Sequence, residues 1–145
     1  MLQIGQAGRE GPDSNAIDGG PNGTPQPYLV SEMTVDPETN LLYISDGYGN
    51  RRILVADAET GMYVGHFGAY GQNPVEDDPS AVVSDTDVGP WAQDFAAGNM
   101  TPMFFRSPLH CAKLAVDGLL YACDRGNNRV QVFNTAEVEI GRAHV

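Results

Sequence analysis

The stretch that decides the fold is Asp124-Arg125-Gly126-Asn127-Asn128-Arg129-Val130-Gln131-Val132-Phe133. An Asp, a Gly/Asn turn, an Arg and then alternating apolar residues read as a strand end, a tight turn and a second strand. The same order stands earlier, in Asp46-Gly47-Tyr48-Gly49-Asn50-Arg51-Arg52-Ile53-Leu54-Val55, with one residue more in the turn. The match continues upstream, where Leu42-Tyr43-Ile44-Ser45-Asp46 parallels Leu120-Tyr121-Ala122-Cys123-Asp124. Around the first copy, strands are expected at 33–35, 41–45, 52–56 and 62–67, joined by turns at 36–40, 46–50 and 57–61, which makes a four-stranded antiparallel meander. Around the second copy they are expected at 111–116, 119–123 and 130–133, with a Gly-containing turn and a fourth strand to follow. Residues 2–4 read as one further short strand, leading into a Gly/Pro-rich loop that runs to Pro27.

One such sheet cannot bury both of its faces, and stacking sheets radially as the blades of a β-propeller solves that problem. The expected fold is therefore all-β, an incomplete propeller of about two four-stranded blades. Composition agrees, since 17 Gly and 10 Pro in 145 residues suit short strands and tight turns, while 41% hydrophobic residues can build a core. A propeller blade takes roughly 40–45 residues. Asp46 and Asp124 lie further apart than that, and the excess falls in residues 71–103. That insert carries Glu76, Asp77, Asp78, Asp85, Asp87 and Asp94 without any Lys or Arg, and reads as an acidic surface loop. The organisation that follows is 1–27, the end of a preceding blade and a loop; 28–70, a blade; 71–103, the insert; and 104–138, a truncated blade. Residues 139–145 depart from the blade pattern. Ile140-Gly141-Arg142-Ala143-His144-Val145 spells the translation of a common short-read sequencing adapter, so this stretch is expected to be a non-native tail on a fragment of a metagenomic gene.

With 19 acidic residues against 8 Lys and Arg, the net charge of −11 argues against nucleic acid and against an anionic membrane surface, both of which need clustered cations. No apolar run approaches the roughly 20 residues of a membrane span. Met1-Leu2-Gln3-Ile4-Gly5 has neither the basic start nor the apolar stretch of a signal peptide, although the parent protein is expected to be exported. Two open blades would leave an unpaired strand edge and apolar faces, so self-association is expected of this chain alone.

Residues 124–133 fit the D-x-x-N-x-R-(I/V)-x-V-F signature and resemble an NHL repeat, a propeller blade. For Asp46, Asn50, Arg52, Asp124, Asn127 and Arg129 a structural role is expected, because Asp and Asn cap turns and Arg reaches carboxylate or carbonyl oxygens. A narrower resemblance lies within this one. Residues 43–52, and Ser107-Pro108-Leu109-His110 with Leu120 to Arg125, are similar to two successive blades of bacterial relatives of the peptidyl-α-hydroxyglycine α-amidating lyases (peptidylamidoglycolate lyases). The resemblance implies a six-bladed parent that cleaves a hydroxylated C-terminal glycine to a peptide amide and glyoxylate, with Zn²⁺ held by three His from separate blades. It implies that His110 is one zinc ligand, that Tyr48 is the catalytic base and that Arg125 lines the active site. Three imidazoles would leave zinc an open position to polarise the substrate hydroxyl, and a Tyr phenolate could take its proton. Ca²⁺ is a further candidate ion. The chain departs from the family in carrying one zinc-type His instead of three, and Gly49 where the eukaryotic lyases place a disulfide-bonded Cys. This fragment is thus not expected to be active alone.

The alternative is a non-catalytic propeller that presents its loops to a protein or small ligand, since a fold does not fix a function. On either reading the partners are a peptide, a small molecule or a protein, together with the missing blades. Cys111 and Cys123 face different partners according to the turn between them. A two-residue loop at Asp117-Gly118 sets Cys111 opposite Asp124, whereas a one-residue bulge sets it opposite Cys123 and makes a disulfide feasible; two thiols fit the sequence equally.

Overall fold

The computed structural model describes residues 1–9, 14–74 and 104–137. Two antiparallel sheets carry the structure. The first has the order β1-β2-β3-β4, from Glu32–Asp36, Leu41–Asp46, Arg52–Asp57 and Tyr63–Phe67; the second has β5-β6-β7, from Leu109–Leu114, Leu119–Asp124 and Arg129–Asn134. The expected meander is present in full in the first sheet. The expected fourth strand of the second sheet, the tail and the insert beyond Pro74 lie outside the described residues.

Aspartates start three of the hairpin turns, because a short carboxylate can accept the backbone N–H groups that the reversing chain leaves open. Asp36 accepts from Glu38 N at 2.9 Å and from the Thr39 hydroxyl at 2.7 Å; Asp57 accepts from Glu59 N, Thr60 N and the Thr60 hydroxyl; Asp117 accepts from Leu119 N at 2.9 Å and from the Tyr121 hydroxyl at 2.8 Å. These bonds hold all three carboxyls below the usual carboxylate range, chiefly through the Thr39 hydroxyl for Asp36, Thr60 N for Asp57 and Leu119 N for Asp117.

Alternation along the strands sends one set of side chains between the sheets. Tyr43, Ile53, Val55 and Phe67 of the first sheet meet Leu109, Ala112, Leu120, Ala122 and Phe133 of the second, with Phe105 between them. The Phe67 and Phe133 rings stand 5.0 Å apart, and Phe105 meets Phe133 edge-on at 6.3 Å. The opposite face of the first sheet places Leu42, Ile44 and Leu54 in a smaller cluster with Ile4 and Tyr63.

Two expectations are corrected. Residues 2–4 form no strand. Ile4 instead covers the smaller cluster, and the chain around it is tied by side chains, Gly5 N to the Thr24 hydroxyl at 3.3 Å and Gln6 N to Gln26 Oε1 at 2.7 Å. Strand β5 starts at Leu109, two residues before the expected position, because Leu109 N donates to Gly47 O of the first sheet at 3.1 Å and pairs opposite Asp124.

Candidate functional site

The signature residues build two copies of one network. In the first, Asp46 Oδ2 accepts from Arg52 Nε and from Asn50 Nδ2, each at 2.9 Å, while Asp46 Oδ1 accepts from Tyr28 N at 2.7 Å. In the second, Asp124 Oδ2 accepts from Arg129 Nε at 2.6 Å and Asn127 Nδ2 at 2.8 Å, while Asp124 Oδ1 accepts from Arg106 N at 3.0 Å. Each Arg also reaches backbone carbonyls before its sheet, Arg52 those of Ser14, Ala16 and Gln26, and Arg129 that of Phe104. Arg52 and Asp46 have no exposed side-chain surface. Six residues expected to be structural thus sit where they close turns and anchor the incoming chain.

The two sheets meet closely just after the end of β2, at Gly47. A Cβ on Gly47 would stand 1.9 Å from the Leu109 carbonyl oxygen, so no other residue fits there without moving the second sheet. That carbonyl lies 2.7 Å from the Ser45 hydroxyl and 2.9 Å from that of Ser31, and the Ser107 hydroxyl donates to Tyr48 O at 3.0 Å. Sequence reasoning assigned Gly47 to a turn and gave Ser31, Ser45 and Ser107 no role. The only local signal was a Gly two residues after a Ser at the strand end; the partner, Leu109, is remote in sequence. Gly49 also lacks room for a side chain, because the Tyr28 ring fills the position that a Cβ would take.

This close approach sets the candidate site. The register between β5 and β6 shifts between Leu109, opposite Asp124, and Cys111, opposite Cys123, so His110 is the extra residue of a β-bulge. Bulges re-aim side chains. Leu109 stays buried while His110 turns out to solvent, edge-on to the half-exposed Tyr48 ring at 5.7 Å. Of the two residues the lyase resemblance assigned to base and ligand, one comes from each sheet, and the bulge brings them together. Arg125 opens the short 3₁₀ turn Arg125–Asn127, is exposed, and lies at the same end of the second sheet without joining the ring pair.

The turn resolves the cysteines: Leu114 pairs with Leu120 and Ala115 N donates to Leu119 O at 3.0 Å, so the reversal takes Val116, Asp117 and Gly118 instead of the two-residue Asp117-Gly118 loop, and Cys111 stands opposite Cys123. Cys111 and Cys123 form a disulfide, with Cα atoms 4.8 Å apart, next to His110.

A zinc site can be tested on its donors. Among the described residues no group of three or more His, Cys, Asp and Glu side chains could hold a metal ion. His66 is buried in the outer strand β4, its Nδ1 2.9 Å from the Tyr63 hydroxyl and its Nε2 3.4 Å from Asn15 Oδ1. His144 lies outside the described residues. One exposed imidazole, His110, does not meet the three protein ligands that a catalytic zinc takes. The described residues do not fit the ion.

No solved structure matches the chain. The family described as NHL repeat matches residues 109–133, so the second sheet, from the bulge to the end of its third strand, carries an NHL repeat.

Proposed function

We propose that the chain is part of a propeller scaffold that binds a ligand at the corner formed by Tyr48, His110 and Arg125. The exposed edge-on contact of Tyr48 with His110 carries this reading, because it presents two rings to solvent at the corner where the two sheets meet. Two rings offer flat apolar contact, and a guanidinium on the same rim offers a forked donor suited to a carboxylate. The preferred ligand is therefore a peptide or small molecule bearing a carboxylate. Titration of carboxylate-terminated peptides, followed by NMR shifts, tests this. Perturbation centred on Tyr48 and His110, and lost in Arg125→Ala, supports it; binding left intact in Tyr48→Ala, His110→Ala and Arg125→Ala refutes it.

A second reading, a corner of a lyase site acting on peptidyl-α-hydroxyglycine, is favoured by the same contact, which joins the two residues that the resemblance assigns to base and zinc ligand. It requires two more zinc ligands from outside the described residues. The 145-residue chain is then expected to release no glyoxylate from such a substrate with or without added Zn²⁺. A longer parent should release it, with Tyr48→Phe and His110→Ala each abolishing turnover. Equal turnover in both variants removes the lyase reading and leaves the scaffold.

A further inference from the structure

The internal repeat allows each outer face of the molecule to be read against an inner one. Register equates Met33, opposite Ile44, with Ala112, opposite Ala122, and Val35, opposite Leu42, with Leu114, opposite Leu120. On the other faces, Tyr43 pairs with Val55 as Tyr121 pairs with Val132, and Ile53 stands opposite Ser45 as Val130 stands opposite Cys123.

In the contact between the two sheets, Ile53 and Val55 are 0% exposed on one side, and Ala112 is 0% exposed on the other. Their counterparts on the outside of the molecule are bare: Val130 and Val132 are 59% and 50% exposed, and Met33 and Val35 are 62% and 48% exposed. The outer face of the second sheet thus repeats the side chains that the first sheet uses for this contact. The outer face of the first sheet carries apolar Met33 and Val35 at the positions that Ala112 and Leu114 hold in the second. Ile4 covers only the Leu42–Ile44–Leu54 part of that face and leaves the inner strand open.

We infer that a second copy of this chain docks head to tail, its Met33–Val35 face seated on the Val130–Val132 face of the first. The complementarity is that of the contact already made within the chain, which shows that a face of one kind accepts a face of the other. Such an interface is heterologous, with two different surfaces per copy, so it extends to rings or open arrays unless one surface is blocked. This goes beyond the ligand reading and does not depend on it, because it uses Met33, Val35, Val130 and Val132 and none of Tyr48, His110 and Arg125.

Light scattering of the 145-residue chain across a concentration series, with one charged substitution on each face, tests the inference. Wild type should grow in mass with concentration. Val130→Asp and Met33→Asp should each weaken association by about tenfold or more, since an unpaired carboxylate resists burial. Mixing the two variants should restore a dimer that stops at two, because Val130→Asp retains the Met33 face and Met33→Asp retains the Val130 face. Val132→Asp and Val35→Asp repeat the experiment at neighbouring positions, with melting curves confirming that each variant folds. Four results would overturn the inference: a wild type monomeric at every concentration; variants that associate like wild type, as edge pairing through β7 would give; Met33→Asp still dimerising alone, as like-to-like contact of the Val130 faces would give; or folded variants whose mixture stays monomeric.

Discussion

Asp46 and Arg52 form an ion pair with no exposed side-chain surface, and Asn50, Tyr28 N and three backbone carbonyls complete it. Removing one partner of such a pair leaves a charge buried without compensation, at a cost of about 3–5 kcal/mol. Asp46→Asn should therefore lower stability in denaturant unfolding by about that amount. Asp124→Asn should cost less, because the Arg129 side chain is 18% exposed and water can take over part of its solvation. Equal losses at the two sites would contradict this ordering. Gly47→Ala should disrupt the contact between sheets without touching either network, as the added methyl would meet the Leu109 carbonyl. The contrast explains what the sequence disclosed at this scale. Asp, Asn and Arg act on one another within a turn, so their spacing carries the signal. Gly47 answers to a carbonyl on another sheet, and Tyr48 and His110 come from different sheets, so nothing near either residue announces the neighbour.

Alternation and turn residues made the seven strands legible, because both operate over a few neighbouring positions. The facing of the cysteines was legible only as an alternative, since it turns on one residue more or less in the reversal before Leu119, and the bulge at His110 was not legible, since it depends on pairing with Asp124 and on the hold of Gly47 O on Leu109 N. Two predictions belong to these elements. Asp36, Asp57 and Asp117 have carboxyls lowered by the bonds of their turns. A group lowered in the folded state contributes stability that is complete above its unfolded pKa and is lost as pH falls through the folded value. Melting temperature should thus decline from about pH 5 towards pH 2, and Asp117→Asn should flatten part of that decline. An unchanged slope in that variant would remove the Asp117 turn from the account. The Cys111–Cys123 disulfide closes a hairpin that already pairs, so reduction should cost about 2–3 kcal/mol, read as a lower unfolding midpoint under reductant. Because the bridge adjoins His110, reduction should also shift the His110 and Tyr48 NMR signals; signals that stay fixed would show that β5 and Gly47 hold the bulge without it.

At the scale of the whole molecule, the larger core belongs to neither sheet alone. Phe133 comes from the last described strand, yet its ring packs between Phe67 of the first sheet and Phe105 of the segment before β5. The sheets are further joined where Leu109 meets Gly47, Ser45 and Ser31, and where the Tyr70 hydroxyl accepts from Arg129 Nη1 at 2.9 Å. Each sheet taken alone would expose one side of this core to water, so neither is expected to persist once the contact is lost. The described chain should therefore unfold in one cooperative transition. Phe133→Ala should cost about 3–5 kcal/mol, as truncation of a buried aromatic does. The informative readout is where that loss appears. Amide exchange should accelerate in β2 and β3, on the far side of the contact, as much as in β6 and β7 beside the substitution. Acceleration confined to the second sheet would mean that the first folds on its own, with the contact a docking of two finished units instead of the core of one.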